Sequence, residues 1–494
     1  MPDILSSVAR KLPAAADFFS GRAQMTLAEL SLDLNRPGPP PSPAISRIII
    51  NRSRELLTGA QLAALEGKLG RGTPFLTANH HGLDTHPENV QGIILAALAT
   101  QAPEPVVILA CTNVPLCNAS RPGGLILGRR GPDGSRLARQ ISPRSLDNCV
   151  VGLAPPLTRK QIEDFAHRLS EFELLGFERR VLTQWLEGFF LTPECLDLPD
   201  LITQAARFNQ GLWRVFFEKN GGPAVIYLDA EAVATDCLLA DLGQSGTPVA
   251  RALLEKETRQ RIVDTLSGLA GCWGAPLAAG AQSPKQLATT SQALGTVFFW
   301  EIGPKGQRYS MQLRQDSRGA RLEGPSLSLE LAPEALAAAL TSRAVSPGLF
   351  LFYLVLSHHQ VTPTGGVFMI DYLPKFIRPA AEILEQPRLT AILREELLAC
   401  GPLPLRLLRN EELTADDDWP ALISVGAVEL AAAEPGPRHW RELAALRLAD
   451  IWPFTASEWF LENVPPPFRP TGWRGQLPLL RRQGSGLNLQ PLPV

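Results

Sequence analysis

Residues 74–101 constrain the fold more than any other stretch. Pro74-Phe75-Leu76-Thr77-Ala78 reads as a short buried strand, and Asn89 to Gln101, apolar nearly all round, reads as a buried helix. A strand that runs into a helix through a polar loop is the repeating unit of an α/β sheet. In such sheets ligands bind outside the carboxyl ends of the strands, where this loop lies.

The rest of the chain extends that pattern. Strand candidates are Phe75–Ala78, Val106–Cys111, Leu125–Leu127, Ala224–Leu228 and Val367–Ile370, with helical patterns between them. Ile162, Phe165, Leu169 and Phe172 recur at helical spacing after Thr158, which has Gln161 at the capping-box position. The expected fold class is therefore α/β, or mixed α+β, with a central sheet flanked by helices. Residues 297–313, with Gly303-Pro304-Lys305-Gly306 at their centre, read as an inserted β-hairpin. Four regions are expected: an N-terminal appendage over 1–70 broken by Pro37–Pro43, an α/β catalytic core over 71–380, a helical region over 381–464, and an extended proline-rich tail over 465–494.

The loop after the first strand carries the densest chemistry. The chain has seven histidines, and His80, His81 and His86 fall within the ten residues Asn79–Glu88, together with Asp84 and Glu88. Imidazole binds metal ions and moves protons near neutral pH, so this cluster is the candidate centre. Thr85 and Glu88 have capping-box spacing and Pro87 suits a first helical turn, which places the cluster at a helix start. A second doublet, His358-His359, follows the apolar run ending at Leu356. If the doublets converge, four histidines share one site.

The preferred reading is a metal-dependent enzyme of the hydrolase type. His80, His81 and Asp84 are its catalytic candidates. His81, His86, Asp84, His358 and His359 are its candidate ligands for a divalent ion, zinc or iron. Arginines 121, 129, 130, 136, 139 and 144 cluster in a glycine-rich segment offset only by Asp133. Guanidinium forks bind phosphate and carboxylate, so Arg129, Arg130 and Arg136, with Asn79, are expected to hold an anionic small molecule. Two alternatives stand beside this reading. One is a metal-free acyl- or group-transferase in which His80 or His81 is a general base and Asp84 orients His80. The other is a non-catalytic binding or scaffold protein.

Other strand ends are also polar: Cys111-Thr112-Asn113, and Asp229 with Glu231. His80 and Asp84 have the His-x-x-x-Asp spacing of the chloramphenicol-acetyltransferase-like acyltransferases. That motif usually reads His-His-x-x-x-Asp-Gly, whereas here His81 is three residues from Asp84 and Thr85 replaces the glycine; five residues assign no family. His-Glu-x-x-His, Gly-x-Ser-x-Gly, the phosphate loop and the dinucleotide fingerprint are absent.

Composition narrows the partners. A net charge of −2 gives no reason to expect nucleic acid or an anionic membrane surface as a partner. Seven dispersed cysteines without a Cys-x-x-Cys pair fit a reduced compartment. The N-terminus lacks a secretory pattern, and the longest apolar run, Gly348–Leu356, is too short for a bilayer. A cytoplasmic protein is the expectation.

Overall fold

A computed structural model describes residues 2–77, 79–118, 124–130, 136–267, 269, 296–316, 319–366, 368–393, 405–407, 423–464, 466–483 and 487–489. Four strands form a parallel sheet: β1 (Phe75–Leu76), β2 (Val106–Ala110), β3 (Val225–Asp229) and β4 (Pro363–Thr364). Their order is β4-β1-β2-β3. Phe75 lies opposite Pro363, Leu76 opposite Ile108, and Val106–Ala110 runs in register with Val225–Asp229.

β2 and β3 are apolar at nearly every position because both faces of the sheet are covered. The two-residue period sorts their side chains between two cores. Val106, Ile108, Ala110, Val225 and Tyr227 enter one, and Val107, Leu109, Ile226 and Leu228 enter the other. Helices α1 (Pro87–Ala97) and α2 (Leu201–Phe216) pack in the first core. Helices α3 (Ala230–Leu242) and α4 (Leu349–His358) pack in the second. α4 needs no polar face: Phe350 through Leu356 are each 3% exposed or less. Each large apolar side chain so buried contributes about 1.5–3 kcal/mol.

The mixed α/β class holds, and so does the hairpin. Phe299–Ile302 pairs antiparallel with Arg308–Ser310, and Val345–Pro347 adds a third strand. Thr158 caps helix Arg159–Arg168 through the box with Gln161. Three expectations are corrected. Leu125–Leu127 lies in a longer strand, Gly124–Arg130, that pairs antiparallel with Arg136–Gln140 outside the parallel sheet. Met369–Ile370 opens a helix, Met369–Ile383, rather than closing a strand, because Met369, Leu373, Phe376, Ile377 and Ala380 bury one helical stripe; Val367 lies outside the described residues. The C-terminal segment is not simply extended: Trp473–Gln483 is helical, with Leu477 and Leu480 buried against the first core.

Ile4, Val8 and Leu12 belong to the first core and Ile45 and Ile49 to the second. The proline-rich break is irregular, as expected, and leads into helix Pro43–Ser53, whose N-cap is Ser42. No described helix is long and apolar enough to cross a membrane.

Candidate functional site

The first histidine doublet sits at the carboxyl edge of the sheet. Pairing of β1 with β2 continues beyond the named strands: Cys111 N–H donates to Asn79 O at 2.8 Å and His81 N–H to Cys111 O at 2.7 Å. Gly82 then turns the chain at φ 149°, a backbone that side-chain-bearing residues rarely adopt. Asp84 is thereby folded back into the first core. Its Oδ2 accepts from Tyr227 Oη at 2.7 Å and Asn79 Nδ2 at 2.9 Å, and its backbone N–H donates to Asn209 Oδ1 at 3.0 Å. Its Oδ1 is buried without a hydrogen-bond partner.

These contacts correct the expected His80–Asp84 pair. His80 Nδ1 bonds Asn118 Oδ1 at 2.8 Å, while Asp84 is held by Tyr227 and Asn79. The turn at Gly82 sends the carboxylate into the core, away from the imidazole it was to orient. Asn79, expected on substrate, is engaged by Asp84. His81 is 1% exposed, its Nδ1 has no hydrogen bond, and its ring lies 6.1 Å from that of Tyr227. Burial lowers its pKa to about 4 against the pull of Asp229 and Asp200, so it is neutral at pH 7.

Burial raises the Asp84 carboxyl to about 6, opposed by the hydrogen bonds from Tyr227 and Asn79. The folded state therefore binds this proton more tightly than the unfolded chain does. Its contribution is fully present below the unfolded pKa of 3.8 and is lost as pH rises through about 6. Asp84→Asn removes the titration and keeps an acceptor toward Tyr227. The stability of this variant relative to the parent is expected to rise by on the order of 3 kcal/mol between pH 4 and pH 7. Urea unfolding across that range reads the difference; a flat difference contradicts the buried-carboxyl account.

His86 and the arginines have structural partners. His86 caps α1, its Nδ1 accepting from Glu88 N–H at 3.2 Å. Thr85 Oγ1 instead accepts from Ile126 N–H, so the expected Thr85–Glu88 box does not form. Arg129 Nε and Nη2 clasp Glu178 at 2.7 and 2.9 Å. Arg130 and Arg136 share Glu458 and Glu462 at 2.6–2.8 Å. The carboxylates expected from an anionic substrate are thus supplied by the chain itself, because arginines this deeply buried require counter-charges. Arg121 and Asp133 lie outside the described residues.

The second doublet lies at the opposite edge. His80 follows β1 and His359 precedes β4, and the two strands are parallel neighbours, so the sheet separates the doublets. The single-site expectation is corrected by this strand direction. His358 and His359 instead meet Asp241. α3 starts at the carboxyl edge, and its 13 residues carry Asp241 about 18 Å to the other edge. His358 Nε2 lies 3.5 Å from Asp241 Oδ1 and His359 Nε2 lies 3.3 Å from Oδ2. Ser42 Oγ sits 2.6 Å from His359 Nδ1, and Ser42 N–H donates to His359 O at 2.8 Å. Burial alone would raise the Asp241 carboxyl, but hydrogen bonds from His358 and His359 hold it below its usual value.

Among the described residues, Asp241, His358 and His359 are the group whose ligand atoms converge, all within 4.8 Å, and this buried group can hold a metal ion. His81, His86 and Asp84 are not part of it. Reading the sequence missed Asp241. An acid in the last turn of a helix faces the negative end of the dipole, and that was its one available signal. No protein-family model matches the chain, and no curated protein is significantly similar to it.

Proposed function

We propose that this chain is a metal-dependent enzyme of the hydrolase type, with a divalent transition ion, zinc or iron, held by Asp241, His358 and His359. The convergence of these three donors carries the reading. Two imidazoles and one carboxylate match sites that use three protein ligands and keep one position open. One ligand atom from each of the three residues lies within 4.8 Å of the others, close enough for a single ion to bridge them. α3 and α4 both end here, and their negative poles favour a cation. His358 Nδ1 is buried without a partner, whereas Ser42 fixes the His359 ring through Nδ1 and leaves Nε2 toward the site. When bound, such an ion supplies Lewis acidity toward water or a carbonyl. With Arg129, Arg130 and Arg136 neutralised internally, this reading assigns the substrate no charge.

Protein purified without chelator and reconstituted with zinc or iron is expected to bind about one equivalent. Occupancy should fall on acidification, because the imidazoles must be deprotonated to ligate. Chelation should lower the melting temperature. His358→Ala and Asp241→Ala should lose the metal, while His81→Ala, at the other sheet edge, should keep it. Elemental analysis finding no stoichiometric transition metal after reconstitution ends this reading.

A further inference from the structure

Arg129, Arg130 and Arg136 have glutamate partners, but their neighbours in sequence, Arg139 and Arg144, form no ion pair among the described residues. Both line a groove of about 600 Å³, and Arg168, also without an ion pair, lines it with them. One wall is strand Arg136–Gln140 and the residues that follow it. The other is the face of helix Arg159–Arg168 that carries Gln161, Asp164 and Arg168, at i, i+3 and i+7. None of the residues assigned to the metal lines this groove.

The lining is short of negative charge. Asp164 is the one carboxylate among the lining residues, against three guanidiniums, which leaves two positive charges in excess. Acids just beyond the wall do not cancel them. Asp147 accepts from Gln140 Nε2, and Glu178 is clasped by Arg129. Burial, then Arg129, lowers Arg139 from its ordinary value, although Glu178 and Glu173 oppose this.

The donors are also under-used. Arg144 is exposed, and none of its side-chain N–H groups bonds a described residue. Arg168 spends Nε on Asp164 O at 3.3 Å and Nη2 on Gln140 O at 3.4 Å, both uncharged acceptors. Arg139 stands 4.8 Å over the Phe172 ring, and its Nε is buried without a partner. An independent sign comes from Ser142, which also lines the groove. It is 5% exposed, and its Oγ has no hydrogen-bond partner. Buried hydroxyls are normally bonded, so one left open beside a cationic groove marks a place for an acceptor.

A phosphate monoester is close to a dianion at neutral pH and presents three strong acceptor oxygens. Guanidinium forks match those oxygens, and a hydroxyl can add a donor. Ile141, Pro143 and Phe172 supply apolar surface for an organic body. We propose that this groove binds a small organic phosphate monoester. Its head would lie among Arg139, Arg144, Arg168 and Ser142, and its body against Phe172 and Ile141. A carboxylate of the same shape brings one charge and two oxygens, and inorganic phosphate brings no body. The site does not depend on the metal reading, and either stands if the other fails.

The test is calorimetric titration of the full chain at pH 8 and low ionic strength, where exposed charges are least screened. The probes are phenylphosphonate, a monoester mimic that water does not cleave, with benzoate and inorganic phosphate. Phenylphosphonate is expected to saturate one site and the other two to bind roughly tenfold weaker or worse. Arg144→Ala should weaken phenylphosphonate by a similar factor. Ser142→Ala removes a hydroxyl without a partner, so it should melt as the parent does and still bind several-fold more weakly. Arg159→Ala, an exposed position of the same helix outside the groove, changes the net charge equally and should bind as the parent does. The proposal is overturned if phenylphosphonate does not saturate the protein, or if either control probe binds as tightly. It is also overturned if Arg144→Ala or Ser142→Ala binds as the parent does, or if Arg159→Ala weakens binding as much as Arg144→Ala.

Discussion

Replacing Glu458 with alanine is expected to destabilise the protein by about 3–5 kcal/mol, the loss typical of one partner removed from a buried ion pair. Glu458 is 0% exposed, and its Oε2 accepts at 2.8 Å from both Arg130 and Arg136, whose side chains are 5% and 7% exposed. Without it, two buried guanidiniums share Glu462, at 2.6 and 2.8 Å. Burial would raise the Glu462 carboxyl, but Arg136 and Arg130 already pull it down to about 2, so it is ionised and has no further charge to give. Glu88 is the reserve. Burial, then Glu462, raises it to about 7, and Arg136 and Arg130 oppose that rise. Losing Glu458 should draw Glu88 into its charged form, so the deficit should be larger at pH 6 than at pH 8. Urea unfolding of parent and variant at both pH values measures this. A loss below about 1 kcal/mol, the worth of an exposed pair, would mean the network is hydrated rather than buried.

Trp213→Ala should lower stability by a similar amount, about 3–5 kcal/mol, for a different reason. Trp213 is 1% exposed and stacks on Phe217 at 5.2 Å with an interplanar angle of 8°. Truncation leaves a cavity in a close-packed core. It also removes a hydrogen bond, since Trp213 Nε1 donates to Tyr227 Oη at 2.9 Å. Tyr227 in turn donates to Asp84, so the variant loosens the support of the loop at residues 79–88. Trp213→Phe keeps most of the volume and loses only the donor, and should cost clearly less. Equal losses for the two variants would place the stability in the hydrogen bond rather than the packing.

The two edges of the sheet show where sequence reasoning reached and where it stopped. Both histidine doublets are visible as residues, and the strand-to-helix order correctly places His80 and His81 beyond a strand end. Whether two doublets meet depends on strand direction and neighbour order, which no local pattern encodes. β1 beside β4, both parallel, puts them at opposite edges. Asp241 reaches His358 and His359 because α3 is long enough to span the sheet, and nothing in its neighbourhood along the chain announces that partner.

The arginines make the same point through charge. Residues 121–144 contain six arginines and one acid, which resembles a surface waiting for an anion. Glu178, Glu458 and Glu462 neutralise three of them from up to 332 residues away. The sequence by itself determined the quantities that act over a few residues: strand and helix periodicity, the Thr158 cap, the hairpin at residues 299–310, and the supply of imidazoles. Tertiary structure alone decided which charges meet, which imidazoles are caps or buried and neutral, and which three side chains converge on one point. The physical reason is range. Backbone preferences and hydrophobic periodicity are set by near neighbours in the chain, whereas Coulomb energy, desolvation and ligand geometry depend on distances in space that only the packed fold defines.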